Sequence, residues 1–158
     1  MQIDTLRFGP VDVDEDKLLE FNEGIPGLEE YKTYALLQFD ESYPLVWLQS
    51  IEERGVCLPV LDTFSVLKDY VFDIDEADVA ALELKNPEEI HVVSVVVIPD
   101  DIKGMTVNLA APIIINTVTG KAKQIVLGGS EYNVRVPVFQ EICKIVAREE
   151  GDANAGSV

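Results

Sequence analysis

Basic residues are scarce in this sequence: 12 lysines and arginines stand against 29 aspartates and glutamates, for a net charge of −17. Proteins hold phosphate backbones with lysine and arginine that displace counterions, so direct contact with RNA or DNA is disfavoured. Histidine is scarcer still. The single His91 opens an apolar run and has no local motif of convergent acids, bases or nucleophiles, which a general acid–base site needs. The only two cysteines, Cys57 and Cys143, lie far apart in apolar settings (CLPVL and EICKIV), which predicts buried free thiols in a reducing compartment. A Cys57–His91 nucleophilic pair has the right elements, but Cys57 sits inside an apolar strand-like run. No apolar stretch approaches the ~18 residues of a membrane helix; Val92–Ile98 and Ala110–Ile115 are of strand length. The start, MQIDTLRFG, has no basic segment followed by an apolar one, so no secretory signal is expected there.

What is present reads as one globular domain. The chain has 158 residues, of which 47% are hydrophobic and 26% charged. A domain of this size buries about 70% of its unfolded surface and needs neither disulfide nor metal to fold. We expect residues 1–150 to form that domain and residues 151–158, small and polar, to be a flexible tail. The acids are unevenly spread: residues 1–79 hold 19 acids and five bases, residues 80–158 ten and seven. A basic protein partner would be drawn first to the N-terminal half.

Strand signals dominate. Gln2–Phe8 and Val11–Val13 alternate about Gly9-Pro10, which predicts a hairpin. Leu18–Phe21, Tyr34–Phe39, Leu45–Ile51, Val56–Leu61 and Tyr70–Ile74 follow as short runs rich in aromatic and β-branched residues. Between them Gly24-Ile25-Pro26-Gly27 predicts a rigid turn. Asp75 is a helix N-cap, with a helix through Leu84 ended by Asn86-Pro87. Ile90–Ile98 is a central strand buried on both faces, and Met105–Leu109, Ile113–Thr117 and Ala122–Leu127 are further strands. Gly128-Gly129-Ser130 is a loop. Val138, Ile142, Ile145 and Val146 recur at helical spacing in a terminal helix over Val138–Glu150. The predicted class is mostly β (α+β): a single-domain antiparallel sheet, barrel-like or a sandwich, with one short helix and a C-terminal helix.

Asp12, Asp14, Asp16, Glu20 and Glu23 follow the spacing of a calcium loop, but Lys17 stands where that loop needs glycine. No metal is therefore expected, and no cofactor. Asp73, Asp75 and Asp78 read as helix capping. Asn108 and Asn116 lie within apolar strands, where a buried amide must hydrogen-bond, so each is expected to tie backbone segments together. Gln49-Ser50 closes an apolar strand, where a polar pair could face a groove.

Five segments then occur in order: Gly24-Ile25-Pro26-Gly27-Leu28-Glu29; Trp47-Leu48-Gln49-Ser50; Asp69-Tyr70-Val71-Phe72; the run from Thr106 through Asn108 and Pro112 to Asn116; and Gln124 followed by Tyr132, Arg135 and Pro137. With them the chain resembles the flagellar assembly factor FliW family over residues 2–140. The most specific part is the run Asn108-Leu109-Ala110-Ala111-Pro112-Ile113-Ile114-Ile115-Asn116, while Leu28, Thr63 and Lys68 depart from the usual residues. The resemblance implies a non-enzymatic cytoplasmic regulator. Such a protein binds flagellin and, once freed of it, the carbon storage regulator CsrA, relieving repression of flagellin synthesis. It implies no contact with membrane or nucleic acid, and a monomer when alone. Two other classes compete on the residues alone: a small-ligand-binding or catalytic barrel, and an acidic nucleic-acid mimic that binds basic proteins in general.

For the partner surface the sequence points to Asp69, Tyr70 and Asp73, with Gln49 nearby. Acid flanking aromatics suits a basic, partly apolar segment. Alternation places Asp69, Val71 and Asp73 on one face and Tyr70 and Phe72 on the other, with Phe72 in the core.

Overall fold

The computed structural model describes residues 1–128 and 131–156, with side chains through residue 151. Among these residues the chain forms eleven strands and three α-helices. Strands β1 (Gln2–Thr5) and β2 (Gly9–Asp12) make a separate antiparallel hairpin with Gln2 opposite Asp12. Its turn uses Leu6-Arg7-Phe8, so Gly9-Pro10, expected to be the turn, begins the second strand.

The main sheet is antiparallel. It runs from β10 (Ala122–Gln124) through β9 (Ile113–Asn116), β7 (Ile90–Val97), β6 (Cys57–Asp62), β5 (Val46–Ser50) and β4 (Thr33–Gln38) to β3 (Leu19–Glu20). The short β8 (Thr106–Val107) pairs with β7, and β11 (Val136–Pro137) with β8. The two ends of this path meet: the Glu20 amide donates to the Gly120 carbonyl at 2.8 Å, beside a parallel bridge from Glu20 to Lys121. The sheet therefore curls into a small barrel. Gly120 has φ +79°, and a Cβ there would lie 2.5 Å from the Leu18 carbonyl oxygen, so only glycine permits the seam.

Period-two alternation sorts the side chains. Phe21, Tyr34, Leu48, Val60, Val93 and Ile113 fill the barrel interior. The alternate residues face outward and are covered by three flanks. The β1–β2 hairpin covers Ala35, Leu37 and Trp47. Helix α2 (Glu76–Ala81) and the chain before it cover Val92, Ile114 and Ile125. Helices α1 (Thr63–Val66) and α3 (Phe139–Gly156) pack with Leu61, Val96 and Val107 beside β8 and β11.

Several expectations need correction. Helix α1 falls where no helix was predicted; Asp62 caps it by accepting from the Phe64 amide at 3.1 Å. Helix α2 has the predicted cap, Asp75 accepting from the Asp78 amide at 2.8 Å, but it stops at Ala81, before Glu83 takes φ 53°. Asn86-Pro87 opens a 3-10 turn over Pro87–Glu89 instead of ending the helix. Tyr70–Ile74 alternates as predicted but pairs with no strand among the described residues. Ile142 and Ile145 of α3 point inward with Val138 just before it, which turns Cys143 to solvent; both cysteines are free, but only Cys57 is partly buried. The helix continues past Glu150 to Gly156. Gly129 and Ser130 of the expected loop, and Ser157 and Val158 of the expected tail, lie outside the described residues.

Candidate functional site

The chain from Asp69 to Asp75 is extended, and side chains rather than strand pairing hold it. Tyr70 is 3% exposed; its hydroxyl donates to the Leu109 carbonyl at 2.6 Å, and its ring packs on Tyr132 at 4.4 Å and on Phe72 at 5.4 Å. Burial pushes that hydroxyl's pKa up to about 12. The Val71 amide donates to the Tyr132 hydroxyl at 2.8 Å. Phe72 and Ile74 pack toward Leu82, Val92 and Ile125. The residues between them point away from the core: Asp69, Val71, Asp73 and Asp75 are exposed, Val71 at 73%.

Opposite this segment runs the end of the sheet. The Ile125 and Leu127 amides donate to the Pro112 and Ala110 carbonyls at 2.9 and 2.8 Å, extending the β9–β10 pairing. The Gln124 side chain donates to the Ala111 carbonyl at 3.0 Å. The run from Asn108 to Asn116 thus positions this wall. Between the two walls lies a cleft of about 560 Å³, lined by Val71–Asp73, Asp75, Asp78, Ile125–Gly128, Glu131 and Tyr132.

Four carboxylates line the cleft, and they are not equivalent. Asp75 caps α2. Asp78 accepts from Lys123 Nζ at 2.5 Å, and Glu23 reaches the same ammonium at 3.2 Å. The hydrogen bond that Lys123 donates to Asp78, foremost, raises the Lys123 pKa and keeps it charged. Asp73 and Glu131 have no hydrogen bond or ion pair among the described residues, and neither has Asp69 beside the cleft. With Val71 and Val126, exposed at 73% and 70%, they make a surface both apolar and negative.

The structure separates the residues that the sequence grouped. Gln49 is 0% exposed; its Nε2 donates to the Ser50 and Arg54 carbonyls at 3.0 and 3.1 Å, so the amide ties a turn and faces no groove. It also pairs with Cys57 at the start of β6, whereas the chain reaches Asp69 only from the far end, about 17 Å along that strand. Gln49 and Tyr70 are buried supports, and only Asp69 and Asp73 present their carboxylates to solvent. Extending the β6–β7 register sets Cys57 level with Ile98, about 23 Å along β7 from His91, so no Cys–His pair exists. Burial raises the Cys57 pKa further from a reactive thiolate. Of the loop acids, Asp14 caps a 3-10 turn by accepting from the Asp16 amide at 2.9 Å.

The motif residues have structural work. Gly24 and Gly27 take φ +73° and +88° about Pro26, and a Cβ on Gly24 would lie 2.6 Å from Glu29 Cα. Glu29 accepts from the Gly27 amide at 2.9 Å, and that bond lowers its pKa. Asn116 is buried and ties segments as expected: Nδ2 donates to the Leu82 and Glu83 carbonyls at 2.8 and 3.2 Å, and Oδ1 accepts from the Val118 and Thr119 amides at 2.9 and 3.3 Å. The Asn108 side chain only closes a local turn, accepting from the Ala110 amide at 2.9 Å. Sequence reasoning missed Val126 and Glu131, which bear no local motif and become a site only when the fold sets them against Val71 and Asp73.

The sequence pattern of the family described as FliW protein matches residues 2–138. The flagellar assembly factor FliW of Ruminiclostridium cellulolyticum is 35% identical over 145 residues, covering 91% of this chain and 98% of that protein. Its counterpart in Thermoanaerobacter pseudethanolicus is 37% identical over 143 residues, covering 90% and 95%. A crystal structure of the flagellar assembly factor FliW superposes with a TM-score of 0.82 at 27% identity, over 88% of this chain and 97% of the other. A family pattern matched from residue 2 to residue 138, relatives at 35–37% identity over nine-tenths of the chain and a superposable crystal structure agree on one family: this chain belongs to the FliW family of flagellar assembly factors.

Proposed function

We propose that this chain binds flagellin and, when free of it, the RNA-binding regulator CsrA in the cytoplasm, and that holding CsrA relieves repression of flagellin synthesis. The observation that carries the reading is the cleft, where unpaired carboxylates stand beside exposed valines in a chain of net charge −17. An RNA-binding protein offers positive charge that such a surface complements, and the same negative field repels RNA from the complex. The role is non-enzymatic and asks for no catalytic group; the chain acts as a monomer when alone. Asp69 and Asp73 serve as charged contacts, with Tyr70 holding the segment behind them, while Gln49 serves the fold at the other end of β6.

Purified CsrA and flagellin, each passed over the immobilised chain, test the reading. Each should bind saturably, and prior loading with flagellin should reduce CsrA capture. Asp69→Lys with Asp73→Lys should slow CsrA association and flatten its dependence on salt, because rim charges act mainly on the encounter. Unchanged kinetics across a salt series, in a double variant that keeps its fold, would place the interface elsewhere.

A further inference from the structure

The cleft has a second property besides its charge: backbone groups left without partners on both walls. Alternation along an antiparallel pair sends every second residue's N–H and C=O outward. Here the amides of Ile125 and Leu127 are spent on the Pro112 and Ala110 carbonyls, so those of Gln124, Val126 and Gly128 face the other way. Val126 makes no hydrogen bond among the described residues, and its side chain is 70% exposed. On the opposite wall the backbone groups of Phe72 and Asp73 are also unpaired among those residues, though the segment is extended. The contrast within the barrel is clear. Its other edge, β3, is sealed to Gly120, whereas the outward backbone groups of the run from Gln124 to Gly128 have no partner among the described residues. An open edge carrying a bare valine invites strand pairing, and folded proteins normally blunt or cover such edges.

We propose that this edge is a strand-addition site: an extended, basic segment of a protein partner pairs with Gln124–Gly128 and lies in the cleft between that edge and Val71–Asp75. This deepens the partner-binding reading of the same cleft and rests on it. The edge spans about 16 Å, enough for four or five residues of the incoming strand. Main-chain hydrogen bonds would supply affinity, and alternate side chains specificity. The cleft offers those side chains both apolar contacts, Val71 and Val126, and two carboxylates with no partner among the described residues, Asp73 and Glu131. The occupant is therefore a segment alternating lysine or arginine with aliphatic residues.

A fluorescent peptide, acetyl-Lys-Val-Lys-Val-Lys-amide, probes the site on the intact chain. It should bind saturably and more weakly as salt rises, while the peptide with glutamate in place of lysine should not bind. Val126→Pro removes the outward donor without touching an internal bond, so it should weaken the lysine peptide at least tenfold; Val126→Thr, which keeps the donor, should bind within about threefold of the parent. Two peptides N-methylated on alternate amides test the wild-type chain directly: one must lose at least tenfold, and the parent peptide should protect the Gln124 and Val126 amides from hydrogen exchange. Equal binding by both methylated peptides, or unprotected amides at saturation, would overturn strand addition even if Val126→Pro failed to fold. Absence of peptide binding would overturn it as well. CsrA and flagellin that bind the wild-type chain and Val126→Pro equally would leave the partner reading intact and end this one; partners that fail on wild type while the peptide binds would do the reverse.

Discussion

Two of the three flanks that cover the outside of the barrel are held by different means. The β1–β2 hairpin satisfies its own backbone and presses Phe8 onto Phe39 and Trp47, with Arg7 over the Trp47 ring at 4.7 Å. Its contact with the sheet is mainly apolar, joined by the Leu6 amide donating to the Arg54 carbonyl at 3.0 Å and an exposed Asp4–Arg54 ion pair at 3.5 Å. The flank from Asp69 to Leu82 also packs on the sheet, but it is anchored by named side-chain hydrogen bonds: Tyr70 to Leu109, Val71 to Tyr132, and Asn116 to Leu82 and Glu83. Between Val71 and helix α2 the backbone groups of Phe72 and Asp73 have no partner among the described residues, and Asp69, Asp73 and Asp75 point outward. A covering that only stabilises can be packed shut. One that also receives a partner has to keep free backbone and charge, and then needs a few strong polar ties to stay in place.

Substitutions in each flank should separate these two modes. The largest loss is expected at Trp47, which is nearly buried under the hairpin and donates to the Ser42 hydroxyl at 3.0 Å. Trp47→Ala should cost about 4 kcal/mol in chemical denaturation, from lost burial and the cavity left behind. Asn116→Ala should cost about 3 kcal/mol, because it orphans two amides and two carbonyls at a buried site. The two should also fail differently. Trp47→Ala should loosen amides in β4 and β5, and Asn116→Ala those of α2, in hydrogen exchange. Equal exchange throughout both variants would erase the distinction between the flanks.

Tyrosine gives a smaller and sharper contrast. Tyr70→Phe should cost about 1.5 kcal/mol by stranding the Leu109 carbonyl. Tyr34, in the barrel interior, has no hydroxyl partner among the described residues, so Tyr34→Phe should be close to neutral. Both hydroxyls are held at about 12, by burial foremost. Their folded values lie above the ordinary value near 10, so the folded state keeps protons that the unfolded chain gives up. The stability they contribute is present below pH 10 and is lost as the pH rises toward 12. Unfolding followed between pH 9 and 12 should therefore slope less steeply in either phenylalanine variant than in the parent. A slope unchanged in Tyr70→Phe would mean that its hydroxyl is not buried in solution.

How much of this was legible in the sequence depended on whether a signal was local. Alternation at Asp69–Asp75 gave the burial pattern residue by residue, since it follows from extended geometry alone. It could not tell that the segment lacks a pairing partner, which is decided by chain elsewhere. The Asp75 cap was readable because cap and recipient amide lie three residues apart. Asp62 offered the same signal for α1, but four residues beside strong strand formers did not stand out. Gln49 misled because a polar side chain at a strand end is spent on backbone as readily as on a ligand. Cys143 misled because apolar neighbours in sequence are not neighbours on a helix, where successive residues turn by about 100°. The cleft itself was out of reach: its walls are some 50 residues apart in the chain.

The smallest expected effect discriminates most finely within the open flank. Asp73 and Asp75 line the same cleft, lie two residues apart and carry the same charge. The fold uses only one of them, since Asp75 accepts from the Asp78 amide and Asp73 has no partner among the described residues. Asp75→Ala should therefore lose about 1 kcal/mol, the usual cost of an N-cap. Asp73→Ala should change stability by less than about 0.5 kcal/mol, as exposed surface substitutions do. Removing one of 29 acids from a chain of net charge −17 even relieves some repulsion, so a slight gain would agree with the same account. Paired denaturation curves at low salt measure both changes. If Asp73→Ala proved as costly as Asp75→Ala, the Asp73 carboxylate would be serving the fold, and charge held free for a partner would have to be sought in Glu131 and Asp69 alone.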